Sequence, residues 1–496
     1  MAGATWDNGG GDHDANAAAN YGGTDPAGNA LIFDDTTADY AQFSDTISVE
    51  SIAATADYTG AGDDDGKLDF NNKAISLTSD LTLANKTFLG GTGAVSVGGD
   101  VLATCANYQP ETGTWTVAGD YDVADITDGH AGPNLRLTGS GKTLSAASTS
   151  NSLRSLTIVA GASITSDQTC WLYANGGGLA LEANATLTLT GRMVANNVPV
   201  TLAAGATLDG ADTLTVRNSS TGDGITSLDA TAEITCDRLQ LRAWTADATL
   251  APGAYAPSGD MVADAFDGET CVVQLSEGTY TINSHFKLET SDTGATTLDG
   301  LTNDATLNLT NHVSVDASGG DINWTGTANL TGAGNQNLDI GDLANTIDGV
   351  SINKTGGTVT LTSGINVDSL SLSAGELDPN GQSITAGTIG AVDEFSIVDG
   401  DEAMTGVVVL CDFLRVIGDA ENPLNLRGDG GWTLTVNEPT PTIENAIISG
   451  CDASGGEEIV AINCTDAGHN TNIDFGTTSP SDATVPMGAG LGLGFD

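Results

Sequence analysis

The sequence predicts an all-β fold, a parallel β-helix (solenoid) with distinct N- and C-terminal capping modules. Pairs of apolar residues recur one position apart, as in Val359 with Leu361 and Leu370 with Leu372, which is the period of a β-strand. Gly, Asn and Asp residues typical of turns bound these pairs. Gly accounts for 65 of 496 residues and aromatic residues for only 5%, which favours a thin core between short strands.

The length of one coil follows from a turn phrase that the chain repeats. Small residues precede an inward Leu or Ile in AGASITS, EANATLTL, AAGATLDG and SAGELDPNG, at residues 160–166, 182–189, 203–210 and 373–381. Successive apolar pairs lie about 11 or 12 residues apart, which gives coils of roughly 20–25 residues and about 16 to 18 coils in all. One coil cannot bury its own apolar face, so neighbouring coils must cover it.

Strand alternation predicts which side chains face the core. Leu187 and Leu189 should point inward, and Thr186 and Thr188 should point to solvent. Helical periodicity is nearly absent, and MVADAF, residues 261–266, is one of the few segments that could form a turn of helix. An array of Greek-key sandwiches is the alternative architecture, and it requires longer strands joined by more frequent hairpin turns.

Changes in composition divide the chain into four regions. Residues 1–73 are predicted to form an N-terminal cap or attachment module, and residues 74–395 the β-helix solenoid. Residues 396–478 contain longer and better separated strands, which indicates a C-terminal β module, and residues 479–496 are predicted to form an extended tail. End modules are expected because an open terminal coil exposes unpaired strand edges.

The charge of the chain argues against polyanionic partners. Its 65 Asp and Glu residues against 14 Lys and Arg give a formal net charge of −51. Nucleic acid and anionic membranes bind through Lys and Arg, so we expect neither as a partner. No apolar run of about 18 residues occurs, so no membrane insertion is expected. The first residues lack the features of a signal peptide, so we expect either no leader or one already removed.

The cysteines are expected to be reduced and structural. Their number is odd, their spacing is irregular, and no Cys-x-x-Cys motif occurs, which disfavours a disulfide framework or a zinc site. Several stand where an aliphatic residue would fit, so they should act as small buried apolar residues. The seven positions are Cys105, Cys170, Cys236, Cys271, Cys411, Cys451 and Cys464.

Three segments resemble known β-helix proteins. The stretch TWDNGGGDHDANAAANYGGTDPAGNALIFDD resembles the opening segment of bacterial passenger-type β-helix proteins. Residues 345–387 and DASGGEEIVAINCTDAGHNTNIDFG, residues 452–476, resemble right-handed β-helix segments of bacterial surface proteins and of tailed-phage virion proteins. The resemblance implies a β-helical architecture and an exposed or particle-bound setting, and it implies no shared catalytic residues.

One acidic cluster is a candidate metal site. Asp63, Asp64 and Asp65, in GAGDDDGKLDF, offer the oxygen ligands that calcium prefers, so they are a candidate site for a structural calcium ion. Their spacing does not match an EF-hand loop, and a solvated acidic loop is the alternative. No other cofactor is expected.

One basic pair is a candidate anion-binding spot. Arg238 and Arg242, in CDRLQLRAW, could bind an anion together with the neighbouring Asp237, and an ion-paired outer face is the alternative. His13 stands between two aspartates and could assist a metal, or it could be an ordinary polar loop residue. No nucleophile, metal-binding or nucleotide-binding motif occurs, so no catalytic residue is assigned and no enzyme is expected.

These observations favour a non-catalytic structural protein of a tailed-phage virion: a fibre, a spike or a capsid-decorating component. Its partners would be other virion proteins or copies of itself, for example in a homotrimer, and a cell-surface glycan is a candidate ligand. A secreted bacterial surface or adhesin module, located extracellularly, is the alternative. A polysaccharide-degrading β-helix enzyme comes third, and it requires acidic and basic residues clustered on one face.

Overall fold

The structure is a computed structural model of the chain. It describes residues 3–7, 13–34, 40–58, 66–123, 132–146, 152–173, 177–218, 224–243, 248–265, 270–275, 277–290, 295–300, 305–317, 320–378, 380, 382, 384–391, 396–398, 408–411, 413–417, 423–436 and 439–476. The expected tail at 479–496 lies outside these residues.

The chain forms two compact units, and each is built of parallel β-strands. The first unit comprises Met1–Thr331 and Ile340–Asp348, and the second comprises Gly332–Asp339 and Gly349–Asp496. The fold is a parallel β-solenoid of about 15 turns, as the sequence predicts. In the described part of the chain the only helix is the 3-10 turn Ala18–Tyr21, and no helix there is long and apolar enough to cross a membrane.

In the first unit, strands of successive turns stack into five parallel ladders. The first ladder contains Ala4–Thr5, Ala30–Phe33, Ser51–Ala54, Leu81–Leu83, Val101–Ala103, Tyr121–Val123, Ser140–Ala146, Ser163–Ser166, Thr186–Leu189, Thr207–Gly210 and Glu233–Ile234. The second contains Ile47–Val49, Ile75–Leu77, Val95–Val97, Thr114–Val117, Asn134–Leu137, Ser155–Ile158, Gly178–Leu181, Pro199–Leu202, Gly224–Leu228, Ala248–Leu250, Thr270–Leu275, Ala295–Asp299 and Asp321–Thr325. The third contains Ala41–Gln42, Lys67–Asp69, Thr87–Leu89 and Asn107–Gln109. The fourth contains Ser152–Leu153, Cys170–Leu172, Met193–Asn196, Thr213–Asn218, Arg238–Ala243, Asp260–Ala265, His285–Thr290 and Val313–Ala317. The fifth contains Gly253–Tyr255, Gly278–Ile282, Ala305–Leu309 and Thr327–Leu330.

The second unit continues the same kind of parallel pairing among its own strands. These are Gln336–Asp339, Gly349–Leu361, Ile365–Asp378, Ile384–Ala391, Ser396–Val398, Val408–Cys411, Phe413–Ile417, Leu424–Val436, Thr442–Glu444, Ala446–Asp452, Ile459–Ile462, Thr465–Asp466 and Ile473–Asp474.

The length of a turn varies along the first unit. Asp80 and Asp100 occupy equivalent corners 20 residues apart, whereas Thr215 pairs with Gln240, 25 residues further on. Longer turns use more chain each, and the solenoid therefore has about 15 turns. The sequence predicted about 16 to 18 coils, which is too many because some turns are longer than the expected 20–25 residues: Ile52 is in register with Leu81, 29 residues further on.

The core forms as strand alternation predicts. Leu187 and Leu189 are fully buried, while the side chains of Thr186 and Thr188 lie partly exposed on the opposite face. Each buried leucine side chain contributes about 1.5–3 kcal/mol relative to exposure, and leucines of adjacent turns lie in register, as Leu187 does with Leu208. The inward residues of each ladder therefore cover one another along the stack.

Four of the described cysteines act as buried apolar residues, whereas Cys464 is half-buried and its thiol lies 3.3 Å from the Ile443 carbonyl. Cys105, Cys170, Cys236 and Cys451 are buried and free of disulfides. Burial raises the pKa of Cys105 and of Cys170 to about 12, which keeps both thiols protonated and unreactive at neutral pH.

Residues 1–73, for which the sequence predicts an N-terminal cap, contribute strands to the first, second and third ladders. Trp6 packs against Tyr21 and Phe33, with ring centroids 5.5 and 5.6 Å apart, and Phe33 packs against Tyr58 at 5.7 Å. All four rings are buried, so aromatic side chains fill the core where other turns use leucine. The capping modules themselves remain a prediction.

One corner of the first unit is held by stacked aspartates, which we call the aspartate corner (Asp80, Asp100 and Asp120). The backbone N–H of Asp100 donates to the Asp80 carboxylate at 2.9 Å, and that of Asp120 donates to Asp100 at 2.8 Å. Gly99 and Gly119 are required here because an added Cβ would lie 2.0 and 2.1 Å from the carboxylate of the preceding turn. Each carboxylate thus binds the next turn directly.

Residues 261–265 do not form the turn of helix that the sequence allowed for MVADAF, and residue 266 lies outside the described residues. The strand Asp260–Ala265 pairs on both sides, with Met261 in register with Leu239 and with Phe286. That prediction was wrong because pairing with two neighbouring turns overrides a weak local preference.

In the second unit, the predicted apolar pair Leu370 and Leu372 is buried. A buried lysine accompanies it: the Lys354 ammonium donates to the Gly334 carbonyl at 2.7 Å and to the Gln336 amide oxygen at 2.6 Å. Burial lowers the pKa of Lys354. Its hydrogen bonds to a carbonyl and an amide offset part of the cost of removing the charge from water.

Candidate functional site

The predicted calcium ligands Asp63, Asp64 and Asp65 lie outside the described residues, so the calcium site remains a prediction. Among the residues that are described, no group of three or more His, Cys, Asp or Glu side chains could hold a metal ion. His13 lies beside Tyr40, with the ring centroids 6.4 Å apart.

The predicted basic pair lies in the fourth ladder of the first unit. In the strand Arg238–Ala243, Leu239 and Leu241 are buried, and Arg238 and Arg242 project from the opposite, outer face. Strand alternation therefore fixes both guanidinium groups on one side of the ladder.

Two further arginines join this pair from the preceding turns. Arg217 is in register with Arg242, and Arg192 directly precedes the strand Met193–Asn196 of the same ladder. We call the four side chains Arg192, Arg217, Arg238 and Arg242 the arginine face. They lie on three adjacent turns, so the stacking distance between the outer two turns is about 10 Å.

A buried carboxylate holds one of these arginines. Arg242 donates from Nε and Nη2 to Asp264 Oδ2 at 2.9 and 2.7 Å, and the Gln240 amide donates to the same oxygen at 3.2 Å. The Asp264 side chain is only 5% exposed, so its buried negative charge is stabilised by the hydrogen bonds that Arg242 and Gln240 donate to it. Asp237, the acid suggested by the sequence, accepts a hydrogen bond from Ser258 at 3.3 Å.

The guanidinium groups of the arginine face make one another's protonated forms less favourable. Burial lowers the pKa of Arg192, and the charges of Arg242 and Arg238 lower it further, against an opposing effect of Asp212. Burial also lowers the pKa of Arg217, followed by the charges of Arg242 and Arg192. Arg192 binds the hydroxyl of Thr215, at 3.1 Å from Nε and 3.0 Å from Nη2. The face therefore concentrates positive charge in a chain whose net charge is −51.

Two aromatic side chains border the arginine face. The rings of Trp171 and Tyr173 stack with centroids 6.3 Å apart and an interplanar angle of 29°. The Arg217 guanidinium lies over the Trp171 ring, 5.5 Å from its centroid. Tyr173 is 46% exposed, whereas most large aromatic rings in the described part of the chain are buried.

The following turns place a second group on the same ladder, the histidine cluster (Asp260, His285, Lys287 and His312). Lys287 contacts Asp260 at 2.9 Å, and His285 Nδ1 lies 3.5 Å from the same carboxylate. The rings of His285 and His312 meet edge to face at 5.9 Å. Burial lowers the pKa of His285, and the charges of Lys287 and His312 add to this, while Asp260 opposes it.

Sequence reasoning missed most of this site. Arg192, Arg217 and Asp264 are separated from Arg242 by one or two turns, so no local motif joins them. His285 and His312, which showed no pair in the sequence, meet for the same reason. A search for charged residues separated by one coil length would have found both groups.

Comparison with known family models, with curated proteins and with solved structures finds no match to this chain.

Proposed function

We propose that this chain is a non-catalytic, adhesin-like structural protein that presents an extended surface formed by its solenoid turns. We further propose that it serves in a tailed-phage virion as a fibre, spike or decorating component. The single observation that carries the structural role is the stacking of successive turns through shared apolar and polar contacts. Such an array is stabilised by contacts between neighbours and can present an extended surface.

The virion setting is supported by the resemblance of residues 345–387 and 452–476 to β-helix segments of virion and bacterial surface proteins. A projecting component of this kind would occur in several copies, and a homotrimer is the number we expect. A secreted surface adhesin is the closest alternative setting, because it would use the same solenoid for display.

A polysaccharide-degrading enzyme is the second candidate, since the fourth ladder does bring acidic and basic residues together on one face. A glycoside hydrolase needs one carboxylic acid to donate a proton and a second carboxylate to act as base or nucleophile. Here Asp264 binds Arg242 at 2.7 Å, Asp260 binds Lys287 at 2.9 Å, and Glu289 lies 3.8 Å from Arg238. Because a cation accompanies each of these carboxylates, the arrangement favours binding over proton transfer.

Sedimentation and intact-mass measurement of the protein from its native source test the setting. We expect the full-length chain to sediment with large particles that contain other structural proteins. Recovery of a trimmed chain with cell envelopes or in the medium would overturn the virion assignment and favour the adhesin.

Incubation with acidic polysaccharides tests the absence of catalysis. The chain length of the polysaccharide, measured by size-exclusion chromatography, should stay unchanged after prolonged incubation with the purified protein. Shortening of the polysaccharide that an Arg238→Gln variant no longer causes would establish the enzyme instead.

A further inference from the structure

We infer that the arginine face, together with Trp171 and Tyr173, binds a short acidic oligosaccharide through its sugar carboxylates. The inference rests on the proposed display function and deepens it by naming the class of ligand. The site lies wholly within the first unit.

The first argument is charge. Four of the chain's 14 Lys and Arg residues gather on three adjacent turns of one ladder. Asp264 binds Arg242 directly and Glu289 approaches Arg238 only to 3.8 Å, whereas Arg192 donates to the neutral hydroxyl of Thr215 and forms no ion pair with any described carboxylate. The guanidinium groups also weaken each other's protonated forms. A carboxylate ligand would relieve this repulsion and accept the charge-assisted hydrogen bonds that planar guanidinium groups donate.

The second argument is the aromatic border. Tyr173 presents an exposed ring and a hydroxyl group next to Trp171, whose ring Arg217 covers. An amphipathic ring of this kind packs against the C–H face of a sugar while its polar edge remains hydrated. Aromatic and guanidinium groups side by side therefore match a ring that carries a carboxylate.

The third argument is size. A duplex nucleic acid carries one charge per about 1.7 Å and extends far beyond a site about 10 Å across. Such a polyanion would continue onto a chain with a net charge of −51, which repels it. A short oligosaccharide with a few carboxylates can satisfy the arginine face without meeting that barrier.

Calorimetric titration of the full-length chain with a short oligogalacturonate, at low salt, is the test. We expect saturable binding that weakens as salt is added, since screening reduces attraction between charges. The fully methyl-esterified oligosaccharide has the same sugar backbone without the carboxylates and should not bind.

Substitutions locate the site. The double variant Arg217→Gln/Arg238→Gln should weaken binding by about tenfold or more, because each charge-assisted hydrogen bond contributes that order of affinity. Tyr173→Ala, at an exposed position, should weaken it by a smaller factor without affecting folding. The control Lys142→Gln removes one positive charge beside Asp100 and should leave binding unchanged.

Three results would overturn the inference: equal binding of the methyl ester, unchanged affinity in both site variants, or tighter binding of single-stranded DNA of equal charge. Circular dichroism of each variant separates lost binding from lost folding. The titration uses purified protein, so its failure leaves the sedimentation result standing, and recovery of the chain outside particles leaves the titration standing.

Discussion

The aspartate corner and the arginine face both stack charged side chains on adjacent turns of the first unit, yet they handle charge in opposite ways. At the corner, Asp80 and Asp100 each accept a backbone N–H from the next turn, at 2.9 and 2.8 Å. On the arginine face, burial and mutual repulsion lower the pKa of Arg192 and Arg217. The corner charges are thus satisfied by the backbone of the next turn, whereas the guanidinium groups of the arginine face repel one another.

This difference separates a structural stack from a candidate binding site. A repeated charge whose partner is the neighbouring backbone stabilises the solenoid and needs no ligand. A group of like charges persists at a cost to stability, and such costs are concentrated where a protein binds something. The following substitutions test that distinction.

The largest expected effect comes from the buried ion pair. Arg242→Met should lower the free energy of unfolding by about 3 kcal/mol, because it removes a charged donor of a carboxylate that is 5% exposed. Arg136→Met is the matched control, since its partner Glu182 and Arg136 itself are 38% and 40% exposed, and it should cost at most about 1 kcal/mol. Denaturant titration measures both, and equal losses would contradict the buried role of Asp264.

The second-largest loss of stability is expected from adding a methyl group at the aspartate corner. Gly99→Ala places a Cβ 2.0 Å from the Asp80 carboxylate and 2.9 Å from the Ser79 backbone. We expect a loss of about 2 kcal/mol, because both the side chain and the turn must shift. Gly334→Ala meets nothing within 4 Å and should be neutral or slightly stabilising. A harmless Gly99→Ala would show that the corner is loosely packed.

Removing one corner acceptor should cost less. Asp100→Ala deprives the Asp120 N–H of its partner and should lower the free energy of unfolding by about 1 kcal/mol. Asp100→Asn retains an oxygen at the same position and should lose only part of that. If the two variants were equally unstable, the charge of Asp100 rather than its hydrogen bond would stabilise the corner.

Removal of a cation should change the free energy of unfolding in opposite directions at the arginine face and at the aspartate corner. Arg192→Gln relieves repulsion by Arg242 and Arg238 and should raise the free energy of unfolding by about 0.5 kcal/mol. Lys142→Gln removes a contact with Asp100 at 3.4 Å and should lower it by up to about 0.5 kcal/mol. Two losses of similar size would contradict the repulsion between Arg192 and the neighbouring guanidinium groups.

The smallest effect concerns pH. Burial lowers the folded-state pKa of His285 below its ordinary value of 6.5, so the unfolded chain binds protons more readily between these two values. The stability linked to His285 is therefore present above pH 6.5 and is lost as pH falls through the lowered pKa. His285→Gln should make the loss of stability between about pH 7 and pH 5 shallower. An unchanged slope would assign the pH dependence to other groups.

The sequence by itself determined the fold class and the side of each strand that is buried. Alternation in a segment such as residues 186–189 is local, and a parallel solenoid repeats it, so the pattern can be read without coordinates. The number of turns was harder to predict because loops between strands change length: Asp80 and Asp100 lie 20 residues apart, whereas Ile52 and Leu81, also one turn apart, are separated by 29.

Only the tertiary structure decided which charges meet. Arg192, Arg217, Arg242 and Asp264 share one face because the loops between successive strands set the register of the fourth ladder. A shift of one residue would turn alternate side chains to the other face, so no composition or local motif could specify the cluster. The spacing of apolar residues in the sequence predicts the solenoid, whereas the register between its turns determines which charged side chains lie together.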